Sequence, residues 1–201
     1  MSQNVPPHPN PPENLNDREL PFFNTSGPWH RIHKSKYGAI HFAKDAFNRF
    51  DDPKKEYGVL YCAQDFHAAF IETLGWSTGS KDINEKLLSA RSLASITSCL
   101  TLRVVDLTGS GLAHIGADAE LCTGRDRNLS QIWSRALWSH PEQPDGIRYV
   151  SRHDPQRVCY ALFERAEAEM QVSDLGKLNG PILLKELGQI LDHYKFALIN
   201  Y

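Results

Sequence analysis

The sequence predicts a single domain of the α+β class. Several short β-prone runs (WHRIH, GVLYC, LTLRVVDL, IRYVS and VCYALF) are separated by a few helical stretches, without the regular strand–helix–strand alternation of a parallel α/β fold. The 201 residues suffice for one full domain, and a hydrophobic share of 41% is that of an ordinary soluble globular chain. There is no internal repeat, and the only boundary falls between a leader, residues 1–28, and a domain, residues 29–201.

The leader opens with PPHPNPPENLNDREL, proline- and asparagine-rich with little to bury. It predicts a flexible arm whose end is anchored by Leu20, Phe22 and Phe23. Residues 29–33 read as the first strand, with Trp29, Arg31 and His33 on one face and His30 and Ile32 on the other. Arg31 is there either a solvated edge residue or a guanidinium aimed into a pocket. Residues 38–42 are a second short strand or a loop. Arg49 follows, between the aromatics Phe47 and Phe50 and ahead of the turn-rich DDPKKE.

Residues 58–76, GVLYCAQDFHAAFIETLGW, are the hub. Residues 59–62 form a strand; Asp65 caps a helix that Gly75 stops. Phe66, Ala69, Phe70, Thr73 and Leu74 make its apolar stripe, and Glu72 lies at the stripe's edge, where it can lean into a cleft. Next, residues 80–94 predict an amphipathic helix capped by Asp82 with Glu85 three residues on. Residues 100–107 are a strand ending in a TGSG turn. Asn128 with Gln131 caps a helix containing Ile132, Trp133, Ala136 and Leu137. After Pro141, Pro144 and the Asp145-Gly146 turn come strands at 147–151 and 158–163. Pro181 opens a helix over 182–194, and residues 196–201 close the sheet as a last strand.

A net charge of −2 argues against a dedicated nucleic-acid binder, and no apolar run approaches the ~20 residues that span a bilayer. Cys62, Cys99, Cys122 and Cys159 form no C-x-x-C pair and read as free thiols in a reducing cytoplasm. His30 and His33 point to opposite faces of their strand, so no shared metal is expected. The phosphate cradles G-x-G-x-x-G and G-x-x-x-x-G-K-[ST] are absent, as is the G-x-S-x-G elbow.

The ordered set Arg31, Arg49-Phe50, Gly58-Val-Leu-Tyr61, Glu72, Asp106-Leu107, Gly146-Ile147 and Tyr149-Val-Ser151 resembles the RES domain family. The family is named for an arginine, a glutamate and a serine, matched here by Arg31, Glu72 and Ser151. The resemblance runs from Trp29 to Phe163; residues 108–127 match nothing firmly. It implies an ADP-ribosyltransferase-like core of mostly antiparallel strands flanked by helices, and an enzyme that degrades NAD+ as the toxin of a toxin–antitoxin pair. The implied partner is a helical, Xre-like antitoxin. NAD+ is then substrate, inorganic phosphate a candidate co-substrate, and no metal or further cofactor is called for. By the same resemblance Arg31 and Arg49 hold the pyrophosphate, Tyr61 packs on the nicotinamide or its ribose, and Ser151 positions the ligand. His33, on Arg31's face of the strand, joins the substrate-binding set.

The residue types suit that chemistry. Nicotinamide leaves as a neutral ring and needs no acid, so one carboxylate that stabilises an oxocarbenium-like ribose is enough. Guanidiniums offer paired donors to a diphosphate, and an aromatic face attracts a pyridinium. The structural alternatives stay open: Tyr61 as core, Ser151 as a turn cap, Glu72 as a solvated residue, Arg49 paired with Asp51 or Asp52. Two other functions also stay open, a protein-modifying ADP-ribosyltransferase and a non-catalytic interaction module. The oligomeric state is open too, a homodimer among the options.

Overall fold

The structure, a computed structural model, describes residues 8–75 and 80–200. Its centre is an eight-stranded sheet of β1 (Phe22–Thr25), β2 (Trp29–Lys34), β3 (Val59–Ala63), β5 (Arg91–Ser98), β6 (Leu102–Asp106), β7 (Gly146–Val150), β8 (Val158–Phe163) and β9 (Met170–Lys177). The order is β1-β6-β7-β8-β3-β2-β5-β9, and all neighbours are antiparallel except β6 and β7. That parallel step needs a crossover, which carries α3 (Gly111–Ile115), α4 (Glu120–Thr123) and α5 (Arg127–Trp138). The expected α+β class with a mostly antiparallel, helix-flanked sheet is what forms.

β3 lies inside the sheet and is covered on both faces, which is why its sequence is a continuous apolar run. Val59 and Ala63 enter the larger core with Phe66, Phe70 and Ile147; Leu60 and Cys62 enter a smaller core with Trp29, Ile96 and Tyr160. Gly58 precedes it because a Cβ there would lie 2.6 Å from the Phe42 carbonyl oxygen. The helix α1 (Phe66–Leu74) starts at Asp65, whose side chain accepts from the Ala68 amide at 2.7 Å, and ends at Gly75. Phe66, Ala69, Phe70 and Leu74 are buried as the stripe predicts, while Glu72 and Thr73 stay half-buried. Trp76, at the end of the hub, lies outside the described residues.

Four expectations give way, three of them to longer-range forces and one, the α5 cap, to a local shift. Residues 80–94 are not one helix but β4 (Asp82–Asn84), the short α2 (Glu85–Ser89) and the first half of β5. Asn84 caps α2, and RSLASITS extends because β2 and β9 supply hydrogen-bonding partners on both its sides. The α5 cap is Asp126, which accepts from the Asn128 amide at 2.9 Å. The last strand, β10 (Ala197–Ile199), does not close the main sheet; it pairs in parallel with β4, after a left-handed Lys195 ends α6 (Leu184–Tyr194). Residues 38–42 take the loop alternative, followed by a single bridge between Ala43 and Val59.

The fourth concerns the leader, of which residues 8–28 are described. Leu15 and Leu20 are buried, Trp133 Nε1 donates to the Pro9 carbonyl at 3.0 Å, and β1 pairs with β6. This stretch therefore packs on α5 and the sheet edge instead of forming a free arm. Its prolines reduce the entropy lost in ordering it. No helix among the described residues is long and apolar enough to cross a membrane.

Candidate active site

The site begins with a fault in the sheet. β2 pairs with β5 along six residues and β3 with β8 along five, yet β2 and β3 meet only at His30 and Ala63. Beyond that pair the strands part, and a cleft of about 380 Å³ opens at the split. α1 forms one wall, the segment around Asn48 and Arg49 another, and β7 and β8 contribute Tyr149 and Cys159.

Arg31 lies in the split itself. Its Nη1 donates at 3.1 Å to the carbonyl of Tyr61, which the missing ladder leaves without a β2 partner, and its Nε is buried with no acceptor. Burial pushes its pKa below the ordinary value, which the nearby Cys62 only partly offsets. Arg49 approaches from the opposite wall, with Nη1 3.4 Å from Ser130 Oγ. The aspartates that follow it are already engaged. Asp51 accepts from the Phe47 and Asn48 amides and from the Tyr61 hydroxyl; Asp52 pairs with Arg135 at 2.8 Å. Neither Arg31 nor Arg49 forms an ion pair among the described residues. Half-buried guanidiniums without an ion-pair partner, facing a cleft, are poised for an anion.

Tyr61 lines the cleft with its ring while its hydroxyl donates to Asp51 at 2.9 Å and accepts from the Phe50 amide at 2.9 Å. Burial, with Asp51 beside it, holds its pKa well above the usual phenol value. It is a neutral wall that also fixes the loop carrying Arg49.

Glu72 projects from α1 into the cleft, and the fully buried Ser151 donates to its Oε1 at 2.5 Å. Ser151 Oγ in turn accepts from the His153 and Asp154 amides, each at 3.1 Å. Those two donors occupy the acceptor side of the hydroxyl, so its proton is committed to Glu72. The turn-cap alternative for Ser151 is thus true as well, and the two roles reinforce each other. Glu72 Oε2 has no partner among the described residues.

Arg31, Arg49, Tyr61 and Glu72 therefore meet in one cleft, with Ser151 directly behind Glu72. His33 does not join them: its Nδ1 faces the Lys34 and Tyr37 carbonyls at 3.2 and 3.0 Å, away from the lining. The alternation that put it on Arg31's face holds, but Arg31 reaches the cleft only because the strands part beside it. Several further residues line the cleft. Tyr149 shares Ser151's strand face, a signal that was available. Arg152, at the strand end, lines the cleft, whereas Arg148 points to the other face and pairs with Asp106 at 2.8 Å. Arg127 comes through the crossover, donates to the Phe47 carbonyl at 2.9 Å, and carries no local signal.

Four arginines and one carboxylate line the cleft, so its field attracts anions. Cys62, Cys122 and Cys159 also line it, but burial pushes the first two to about 12 and the third well above its usual value. They are thiols at neutral pH, not nucleophiles. Among the described residues no three His, Cys, Asp or Glu side chains converge as a metal site requires.

The RES domain family model matches residues 28–179. The chain is 34% identical over 125 residues to "Probable toxin y4kH" of Sinorhizobium fredii (strain NBRC 101917 / NGR234), covering 61% of this chain and 94% of that relative. Among solved structures, a chain of the M. tuberculosis MbcT–MbcA toxin–antitoxin complex superposes with a TM-score of 0.64 at 20% identity. The superposition covers 88% of this chain and 97% of that one, which establishes a shared fold.

Proposed function

The chain belongs to the RES domain family, and from that premise we propose that it degrades NAD+ by cleaving the nicotinamide–ribose bond, as the toxin of a toxin–antitoxin pair. The observation that carries the reading is the meeting of a serine-anchored carboxylate with arginines that have no carboxylate of their own, in a split of the sheet. Arg31 and Arg49 suit the two charges of a pyrophosphate. Glu72, held by Ser151, suits the positive charge that develops on the ribose. Tyr61 offers an aromatic wall to the pyridinium.

In the reaction the C1″–N bond breaks with its electron pair going to the ring nitrogen, so nicotinamide departs neutral. Phosphate oxygen then bonds to C1″ and gives ADP-ribose 1″-phosphate; with water instead, ADP-ribose forms and a proton passes to solvent. Arg152 and Arg127 on the lining supply cationic donors beyond Arg31 and Arg49, which supports phosphate as the acceptor. The probable-toxin relative and the toxin–antitoxin neighbour support an antitoxin protein as the partner; its Xre-like type and the cytoplasm as the place of action rest on the family resemblance alone.

The test is to incubate the purified protein with NAD+, with and without phosphate, and identify products by mass spectrometry. Nicotinamide with ADP-ribose 1″-phosphate, faster with phosphate, is expected. ADP-ribose alone at a phosphate-independent rate makes it a hydrolase. Absence of turnover without an added protein acceptor overturns the reading.

A further inference from the structure

His30 stands out from the other histidine on the lining, His153, because its Nδ1 is fully buried without a hydrogen-bond partner, and its Nε2 has none among the described residues either. His140 shows what a satisfied histidine looks like in this fold. Its Nε2 lies 3.1 Å from the Leu15 carbonyl oxygen, and its Nδ1 accepts from the Glu142 amide at 3.1 Å. A buried ring nitrogen with no acceptor is a poor place for a proton, so the neutral His30 ring carries its proton on Nε2.

The position of His30 gives that donor a purpose. It sits at the last β2–β3 pair, opposite Ala63, where the cleft begins. Strand alternation puts it on the same sheet face as Ile32 and Ala63, the face on which α1 packs. α1 supplies Ala69, Glu72 and Thr73 to the lining, so His30 shares the Glu72 side of the cleft, whereas Arg31 enters from the opposite strand face.

We propose that His30 is a substrate-binding residue, whose Nε2–H donates to an acceptor oxygen of the nicotinamide-riboside half of the ligand. It supplies a donor without a fixed charge near the pyridinium, where another guanidinium would repel the ring. This rests on the NAD+ reading above and adds to it a fifth contact residue and the half of the ligand it serves.

The experiment compares His30→Ala, His30→Gln and His30→Asn for NAD+ turnover, and for binding of nicotinamide mononucleotide and of ADP. The Gln amide nitrogen stands as many bonds from Cα as His Nε2, and the Asn amide nitrogen as many as Nδ1. A donor role therefore predicts that Ala and Asn raise KM by on the order of tenfold while Gln restores most of it. Nicotinamide mononucleotide should weaken in parallel, with ADP unchanged. Equal KM for all three variants and wild type overturns the proposal while leaving the NAD+ reading standing. Equal impairment of all three, Gln included, makes His30 a packing residue and also overturns it, as does parallel weakening of ADP. A wild-type protein that neither binds nor cleaves NAD+ overturns both.

Discussion

Replacing Ser151 by alanine tests whether Glu72 is positioned or merely present. The hydroxyl is fully buried and makes three hydrogen bonds, one to the Glu72 carboxylate and two from the His153 and Asp154 amides. The bond to Glu72 is charge-assisted, and such bonds contribute about 1.5–3 kcal/mol. If all of that is expressed in the transition state, kcat falls ~10- to 150-fold. The two amides belong to half-buried residues that water can reach, so the stability loss is nearer ~1–2 kcal/mol, a Tm drop of about 2–8 °C for a chain of this size. The assay is nicotinamide release by chromatography beside thermal unfolding, for Ser151→Ala, Glu72→Gln and the double variant. Because Ser151 acts through Glu72, the double variant should be no slower than Glu72→Gln alone. Multiplicative losses would refute the positioning role.

Other residues yield equally direct outcomes. Arg49→Met should weaken NAD+ binding at least about tenfold by calorimetry while leaving Tm nearly unchanged, because Arg49 is half-buried at the cleft and forms no ion pair among the described residues; unchanged affinity would remove Arg49 from the pyrophosphate site. Burial pulls the Asp52 carboxyl up, but hydrogen bonds from Arg135 and the Glu56 and Lys54 amides outweigh it, and its net pKa is lowered. Its stabilisation is therefore full above the unfolded carboxyl value of about 4 and is lost as pH falls through the folded value. Hence the Tm gap between wild type and Asp52→Asn should be open at pH 7 and narrow below about pH 4; a gap that widens on acidification would contradict this.

The strand–helix hub was legible because its signals are local: the Asp65 cap, the continuous apolar run through Val59–Ala63 and the Gly75 stop all act within one turn or one strand. The misreading of residues 80–94 has the opposite cause. β5 is made by partners sixty residues before it and eighty after, and nothing within RSLASITS announces them. β1 and β9 went unread because edge strands need little apolar patterning. In the site, the resemblance to the RES domain family pointed to Arg31, Arg49, Tyr61, Glu72 and Ser151, where residue types alone left structural alternatives open. The single β2–β3 pair that creates the cleft is a register failure, visible only once both strands are laid down. That split decides why Arg31 and His30, on opposite faces of β2, both reach the cleft while His33 does not.

The proposed stabilisation of the ribosyl cation of NAD+ by one carboxylate, Glu72, can be read from single-turnover nicotinamide release by wild type and Glu72→Gln at matched, calorimetrically verified NAD+ occupancy. The glutamine keeps size and an acceptor for Ser151 while deleting the charge, so the rate should fall by on the order of a hundredfold or more with Tm nearly unchanged. A Glu72→Gln protein that binds NAD+ and releases nicotinamide at close to the wild-type rate would contradict the account.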